Sequence, residues 1–495
     1  MTHMTKLLAL VGVALLLPEA GCNDPLKVKT PDIVPPSALS DSASLATLRA
    51  AAIGDFSIAY TGDHPDGSGG TAEGVIMYGG LLADEFVNSE TFPTRIEVDA
   101  RTIQLTNADD DLWYRLLHRA RQSAEAAADG YRRLAPADPG YAETLNLAGY
   151  TYVFFAETFC SGVPVSHLDP VTSTITYGVP LTTAQLLDTA IARFDSAISV
   201  ATAVGGQTEM IDLATVGKAR AFLFRAGLPG GLAGDFATAA SLAVVVPTDF
   251  AYVQEHTTTT DRENNGVFNA GATDGRYSLT DSTPGKTAPS REGMNGFPWL
   301  AVADPRTTMI LDPGGVGFDG GTPLWDNLRY GSRTAPITVA TGVEARLIQA
   351  EAALQSGDTI LPGGQFFTQL NQPRQQPSQR SYFNPNPFDR TNTSTAAIGV
   401  LPDLSATDAT NAGGAVNLLF NERARWLWLT GHRLGDLRRL VRQYNTSGNR
   451  TQDKVFPTGP YFKVNFTDYG SDVNFPVPVT EQNNPNFTAC LDRNP

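Results

Sequence analysis

Cysteine is scarce in this chain: Cys22, Cys160 and Cys490 are the only three in 495 residues, with no C-x-x-C and no close histidine partner. Zinc modules draw their ligands from closely spaced pairs, so none is readable here. Histidine is equally sparse, with His3, His64, His118, His167, His256 and His432 scattered and no H-x-x-x-H among them. The G-x-S-x-G nucleophile elbow of serine hydrolases is missing too. Cationic excess is absent: 36 Lys and Arg stand against 51 Asp and Glu, a formal charge of −15. Nucleic acid demands clustered Lys and Arg, so it is not an expected partner, and the acidity serves solubility. Beyond the first residues no run approaches the roughly 20 apolar residues needed to cross a bilayer.

Local matches to catalytic or cofactor motifs fail on context. GVGFDG, Gly315 to Gly320, spells the dinucleotide fingerprint, yet Pro313 precedes it and Gly321-Thr322-Pro323 follows, where the mechanism needs a strand and then a helix. Asp84-Glu85 is the most tempting carboxylate pair for glycoside hydrolysis, but neighbours on a strand face opposite ways. Asp109, Asp110 and Asp111 suit the positive end of a helix better than a calcium loop. No cofactor is implied, and the chain is not expected to be an enzyme.

What is present begins at the N-terminus. Lys6 precedes LLALVGVALLL, and Gly21-Cys22 follows Pro18. This charged, apolar, small-residue order reads as a signal peptide over residues 1–21. Cys22 stands where a lipid would be attached, although Glu19 occupies the lipobox position that is usually Leu; a secretory signal with a chance cysteine has the same appearance. Residues 22–40, rich in proline and polar groups, read as an extended tether. If Cys22 is lipidated, Cys160 and Cys490 remain as an even pair and are expected to be disulfide-bonded, the alternative being two free thiols.

From residue 41 to 495 the pattern is one body without a dividing linker. Helical periodicity places a helix over Asn107–Leu134 with a stripe of Leu112, Leu116, Ala120, Ala124, Ala127, Tyr131 and Leu134. Others are expected over Tyr141–Phe159 and Thr183–Ala201, then two around the Gly-rich turn before Pro247, and one over Gly342–Asp358. Helix pairs with small residues at their crossings suggest a tetratricopeptide-like solenoid, in a mainly α fold. The helical scaffold is expected over about 41–255, 337–360 and 415–445, with a loop-rich, ligand-facing subdomain over about 256–336 and 361–414.

The most specific signal is NERARWLWLTGHRLGDLRRL, Asn421 to Leu440. Together with AEAALQSGD, ETFCSGVP, LLADE and FPVPVTEQNNPN it resembles, in order and over nearly the whole mature chain, the SusD-like (RagB-like) family. That resemblance implies an outer-membrane lipoprotein, surface-exposed, with a tetratricopeptide-like scaffold. It further implies a protein that binds an oligosaccharide, peptide or other oligomeric nutrient and delivers it to a SusC-like TonB-dependent barrel. Glu422, Arg423, His432, Arg433 and Asp436 are then expected to be structural, since charges this dense in an apolar helix must be paired. The alternative from a different class is a lipid-anchored interaction scaffold.

Sugars are recognised by flat aromatic faces with amides and charged groups beside them. On that ground the ligand-binding candidates are Asn295, Phe297, Trp299, Trp325, Asn327, Arg329 and Tyr330, with Asp326 among them, and, near LLADE, Asn88, Phe92 and Arg95.

Overall fold

The computed structural model describes residues 41–63, 72–169, 172, 174–228, 231, 232, 234–281, 296–299, 304–358, 364–376, 399–463 and 467–495. The signal segment, the tether with Cys22, and Asn295 lie outside the described residues.

Helix follows helix. The first set is α1 (Leu45–Thr61), α2 (Val75–Leu82), α3 (Pro93–Asp99), α4 (Ala108–Leu134), α5 (Gly140–Thr158), α6 (Thr183–Val204), α7 (Thr208–Ala226) and α8 (Asp235–Ala243). The later set is α9 (Gly342–Gln355), α10 (Gln365–Arg374), α11 (Ala406–Asn411), α12 (Ala415–Trp426) and α13 (Arg433–Gln443). Packing is serial: α4 lies on α1 and α5, α6 on α5 and α7, α8 on α7 and α9, and α9 on α10 and α12. Each helix buries its apolar face on its neighbours, the logic of a solenoid. The fold is mainly α and tetratricopeptide-like.

Local sequence explains the boundaries. Asn107 caps α4 by accepting from the Asp109 and Asp110 amides, and the three aspartates crowd the first turn. Thr182 and Gln185 form a reciprocal capping box on α6. Phe194 of α6 wedges between two glycines: a Cβ on Gly149 of α5 would lie 2.6 Å from its ring, and one on Gly217 of α7 2.4 Å. Only glycine admits that approach.

The buried stripe of α4 differs from the expected one. Trp113, Leu117, Ala120, Ala124, Ala127 and Tyr131 are buried, whereas Leu112, Leu116 and Leu134 are half-buried. The apolar pattern left two faces open, one residue apart, and the larger Trp113 turned inward against Phe159 and Phe475. Helix α5 is buried on nearly every side, enclosed by α4, α6, α7 and the C-terminal segment.

Residues 256–336 hold strands as well as loops. Strand β1 (Phe86–Asn88) pairs antiparallel with β3 (Tyr277–Leu279), and β2 (Ala251–Gln254) with β6 (Ile337–Thr341). Strand β4 (Met309–Val316) pairs with β5 (Pro323–Asn327), Leu311 opposite Trp325. Ser278 Oγ donates to the Pro323 carbonyl and accepts from the Trp325 amide, tying β3 to β5. The GVGFDG string is thus the tip of a hairpin.

At the C-terminus, Cys160 and Cys490 are joined by a disulfide, with Cα atoms 6.0 Å apart. Backbone bonds extend the seam, Ser161 donating to Asp492 and accepting from Leu491. Among the described residues no helix is long and apolar enough to cross a membrane.

Candidate functional site

A buried charged layer lies under the motif helices α12 and α13. Arg433 grips both oxygens of Asp84, and Arg423 and Arg439 converge on Asp436 at 2.8 and 3.0 Å. Burial works to raise the Asp436 carboxyl, but the two guanidinium groups outweigh it and hold it well below the usual carboxylate range. Glu422 accepts from Arg306 at 2.7 Å and from Arg374 at 2.9 Å. His432 Nε2 lies 3.1 Å from Glu344 of α9, and Arg439 also pairs with Glu351 there. Glu422, Arg423, His432, Arg433 and Asp436 are all buried against protein partners. Their polar partners all lie within the scaffold.

Asp84 and Glu85 diverge at the turn after α2, as strand neighbours do. Asp84 meets Arg433, while Glu85 accepts the Leu429 amide at 2.8 Å. Burial pushes the Glu85 carboxyl up to about 8, with Asp84 adding to that push and the Leu429 amide and Arg433 opposing it.

The surface above β1 is different in kind. The loop after β1 and the β4–β5 hairpin tip are stitched together: Asp319 N donates to Ser89 O, Phe318 N to Gly275 O, and Ser89 Oγ to Gly275 O. Gly317 makes this possible, since a Cβ there would lie 2.3 Å from Ser89 Cβ. The stitching sets Phe92 and Phe318 side by side, ring centroids 6.4 Å apart and planes 28° apart. They stay 46% and 54% exposed, unusual for phenyl rings without a partner surface. Arg276 lies beneath both, 5.6 Å from one centroid and 5.0 Å from the other, anchored by Glu90 at 2.7 Å.

Lys463 completes the patch from the C-terminal segment. Its ammonium donates to Asp319 at 2.8 Å, to Asn88 Oδ1 at 2.9 Å and to the Glu90 carbonyl. Burial tends to raise the Asp319 carboxyl, but Lys463 and the Thr322 hydroxyl hold it below the usual range. Phe462, next in the chain, is 40% exposed. The exposed Phe92 and Phe318 on braced loops therefore form an aromatic platform with polar groups at its seams, and the Phe462 ring stands 5.8 Å from the Lys463 ammonium.

The structure separates the candidates named from the sequence. Phe92 is on the platform, and Asn88 and Arg95 lie buried beneath it; Asn88 holds Lys463, and Arg95 pairs with Glu73 and Glu90. Trp325 is half-buried on β5 and Arg329 half-buried beside Tyr330. Phe297 and Trp299 are core residues at 6% and 2% exposure, the Trp299 indole N–H donating to the Asp84 carbonyl. Tyr330 is fully buried with its hydroxyl on the Leu429 carbonyl, while Asn327 accepts the Tyr330 amide, and Asp326 is buried too. Phe297, Trp299 and Tyr330 pack the loop region onto α12, α13 and the turn between them and are almost wholly buried there. Phe318, Phe462, Arg276 and Lys463 were not singled out by the sequence. The signal for Phe318 was the glycine-rich string around it, which marks a hairpin tip that stands out from the core.

No family model matches the sequence, and no curated protein does. Solved structures do. A SusD-like protein from Bacteroides fragilis superposes with a TM-score of 0.57 at 14% identity, covering 94% of this chain and 100% of that one. The surface glycan-binding protein A from Bacteroides uniformis gives 0.57 at 13% identity, over 90% and 99%. A laminarin binding SusD-like protein gives 0.55 at 14%, over 91% and 99%. The chain has the SusD-like fold. The resemblance read from the ordered motifs holds at that level, and the coverage shows that the SusD-like fold extends over nearly all of the described body. Within it, the motif segments LLADE, AEAALQSGD and NERARWLWLTGHRLGDLRRL meet in the buried charged layer, and Arg438 ties ETFCSGVP to it through the Glu157 and Phe159 carbonyls.

Proposed function

We propose that this chain is a lipid-anchored outer-membrane protein that captures an oligosaccharide on the Phe92–Phe318 platform and passes it to a SusC-like TonB-dependent barrel. The observation that carries the reading is the exposed Phe92–Phe318 pair, braced by Arg276 and by the Lys463–Asp319 link. Aromatic faces kept exposed on rigid loops suit the apolar face of a sugar ring, and the neighbouring polar groups suit its hydroxyls. The SusD-like fold supports the reading, as do the glycan-binding and laminarin-binding descriptions of two proteins that share it. Capture without chemical change fits a surface that offers stacking and hydrogen bonds.

The test has two arms. Titration of the purified full chain with neutral β-glucan, α-glucan and mannan oligosaccharides should find one class that binds wild type and is lost in Phe92→Ala/Phe318→Ala; binding unaffected by that change defeats the platform. Extraction of native membranes should recover the chain with a barrel, and Cys22→Ser should release it to the soluble fraction. Recovery without a barrel would favour the interaction-scaffold reading.

A further inference from the structure

A pocket of about 480 Å³ opens between residues 296–298, α12, α13 and the segment at 449–455. That volume suits a single sugar residue or a small oligomer end, within the several hundred Å³ typical of ligand sites. Its floor is apolar, with Phe420 and Leu437, and its walls carry Asn417, Asn421, Asn449, Arg450 and Lys454. Arg433 and Asp84 also reach it, but they occupy each other.

The charges on the wall are unbalanced. Arg450 donates only to neutral oxygens, Asn417 Oδ1 at 2.8 Å and the Tyr444 carbonyl at 3.1 Å. Lys454 donates to the Gly448 carbonyl at 2.9 Å. Among the described residues neither the half-buried Arg450 nor the exposed Lys454 has a carboxylate partner, in a chain whose formal charge is −15 and whose buried arginines are mostly paired with acids. The half-buried Asn421 amide makes no hydrogen bond to the described residues and stands beside them. Two cations without acid partners and the free Asn421 amide around an apolar floor fit one ligand chemistry: a carboxylate for the cations, a hydroxyl for the amide, and a carbon face for the floor.

We propose that this pocket binds an acidic sugar of the hexuronate class, as a site separate from the aromatic platform. The inference does not rest on the platform reading, because the two sites share no residue. The test is calorimetric titration of the full chain with D-glucuronate, D-glucose and acetate. Glucuronate is expected to bind at least tenfold more tightly than either of the others. Arg450→Gln/Lys454→Gln should weaken it tenfold or more, and Asn421→Asp, which adds a negative charge to the wall, should weaken it as well. Arg133→Gln on α4 should not. Unfolding midpoints within a degree or two of wild type confirm that the variants fold, as their half-buried or exposed positions lead one to expect. Equal affinity for glucuronate and glucose, affinity for acetate equal to that for glucuronate, or indifference to both pocket variants would each overturn the proposal.

Discussion

Arg433 and Asp84, 349 residues apart in the chain, meet through paired hydrogen bonds of 2.6 and 2.7 Å. One belongs to the Gly-His-Arg turn and the other to LLADE, so two sequence motifs that look independent are halves of one buried contact. His432 with Glu344, and Arg439 with Glu351, bind the AEAALQSGD helix into the same layer. Charges in such a layer constrain one another, since removal of either partner strands the other in a low-dielectric interior.

Arg433→Met should therefore destabilise the protein by about 3–5 kcal/mol, the usual loss when one member of a buried pair is left alone. Arg433→Met/Asp84→Leu should recover part of that loss. Recovery stays partial because Asp84 also accepts the Phe297 amide. Urea unfolding midpoints decide it: a double variant as unstable as the single one would mean that the stranded Asp84 charge is not the cause.

Glu85 makes stability depend on pH in a direction opposite to that of the paired acids. Its folded carboxyl sits at about 8, above the unfolded value of about 4.3, so the folded protein holds the proton more tightly. The stability this contributes is full below about pH 4.3 and is lost as pH rises through about 8. Glu85→Gln keeps an acceptor for the Leu429 amide and removes the titration. Relative to wild type, the variant should gain stability steadily between those limits, read from unfolding midpoints at several pH values. A difference independent of pH would show that Glu85 is ionised in the fold.

Closing a loop of 330 residues by the Cys160–Cys490 disulfide removes chain entropy from the unfolded state. The chain-entropy model gives about 5–6 kcal/mol, an upper figure because engineered and native bonds often deliver less. Thiol labelling after unfolding without reductant should find neither cysteine, and dithiothreitol should lower the unfolding midpoint. Labelling of both residues without reductant would rule the bond out.

Much of the scaffold was legible because helices repeat their physics locally. The stretch from Thr183 shows a capping Thr182 and a 3.6-residue apolar period, and the helix forms there. The exact buried face was not legible where two faces competed, as in α4, because only tertiary contact with Phe159 and Phe475 tells Trp113 to turn inward. The site was harder still. Trp299 and Phe318 are both loop aromatics, and nothing in their local sequence states that one loop folds back over α12 and α13 while the other is held out at a hairpin tip. Composition identified the kind of residue a sugar site uses; burial, which depends on contacts hundreds of residues away, decided which of them remained free.

That difference yields a prediction with two opposite signatures. Trp299 fills space against Phe297 and Trp428 and satisfies its indole N–H on Asp84, so Trp299→Ala should cost about 3–5 kcal/mol of stability, as large-to-small changes of buried aromatics do. Phe92 and Phe318 are about half exposed and contribute little to the core, so Phe92→Ala and Phe318→Ala should leave the unfolding midpoint nearly unchanged. Their effect should fall on oligosaccharide affinity, by about 2 kcal/mol or roughly thirtyfold for a stacking ring, by analogy with aromatic hot spots. The measurement is paired: thermal unfolding and oligosaccharide titration on each variant. Affinity lost in Trp299→Ala at a temperature where it remains folded, with Phe92→Ala and Phe318→Ala binding as wild type does, would move the site from the platform to the loop over α12 and α13.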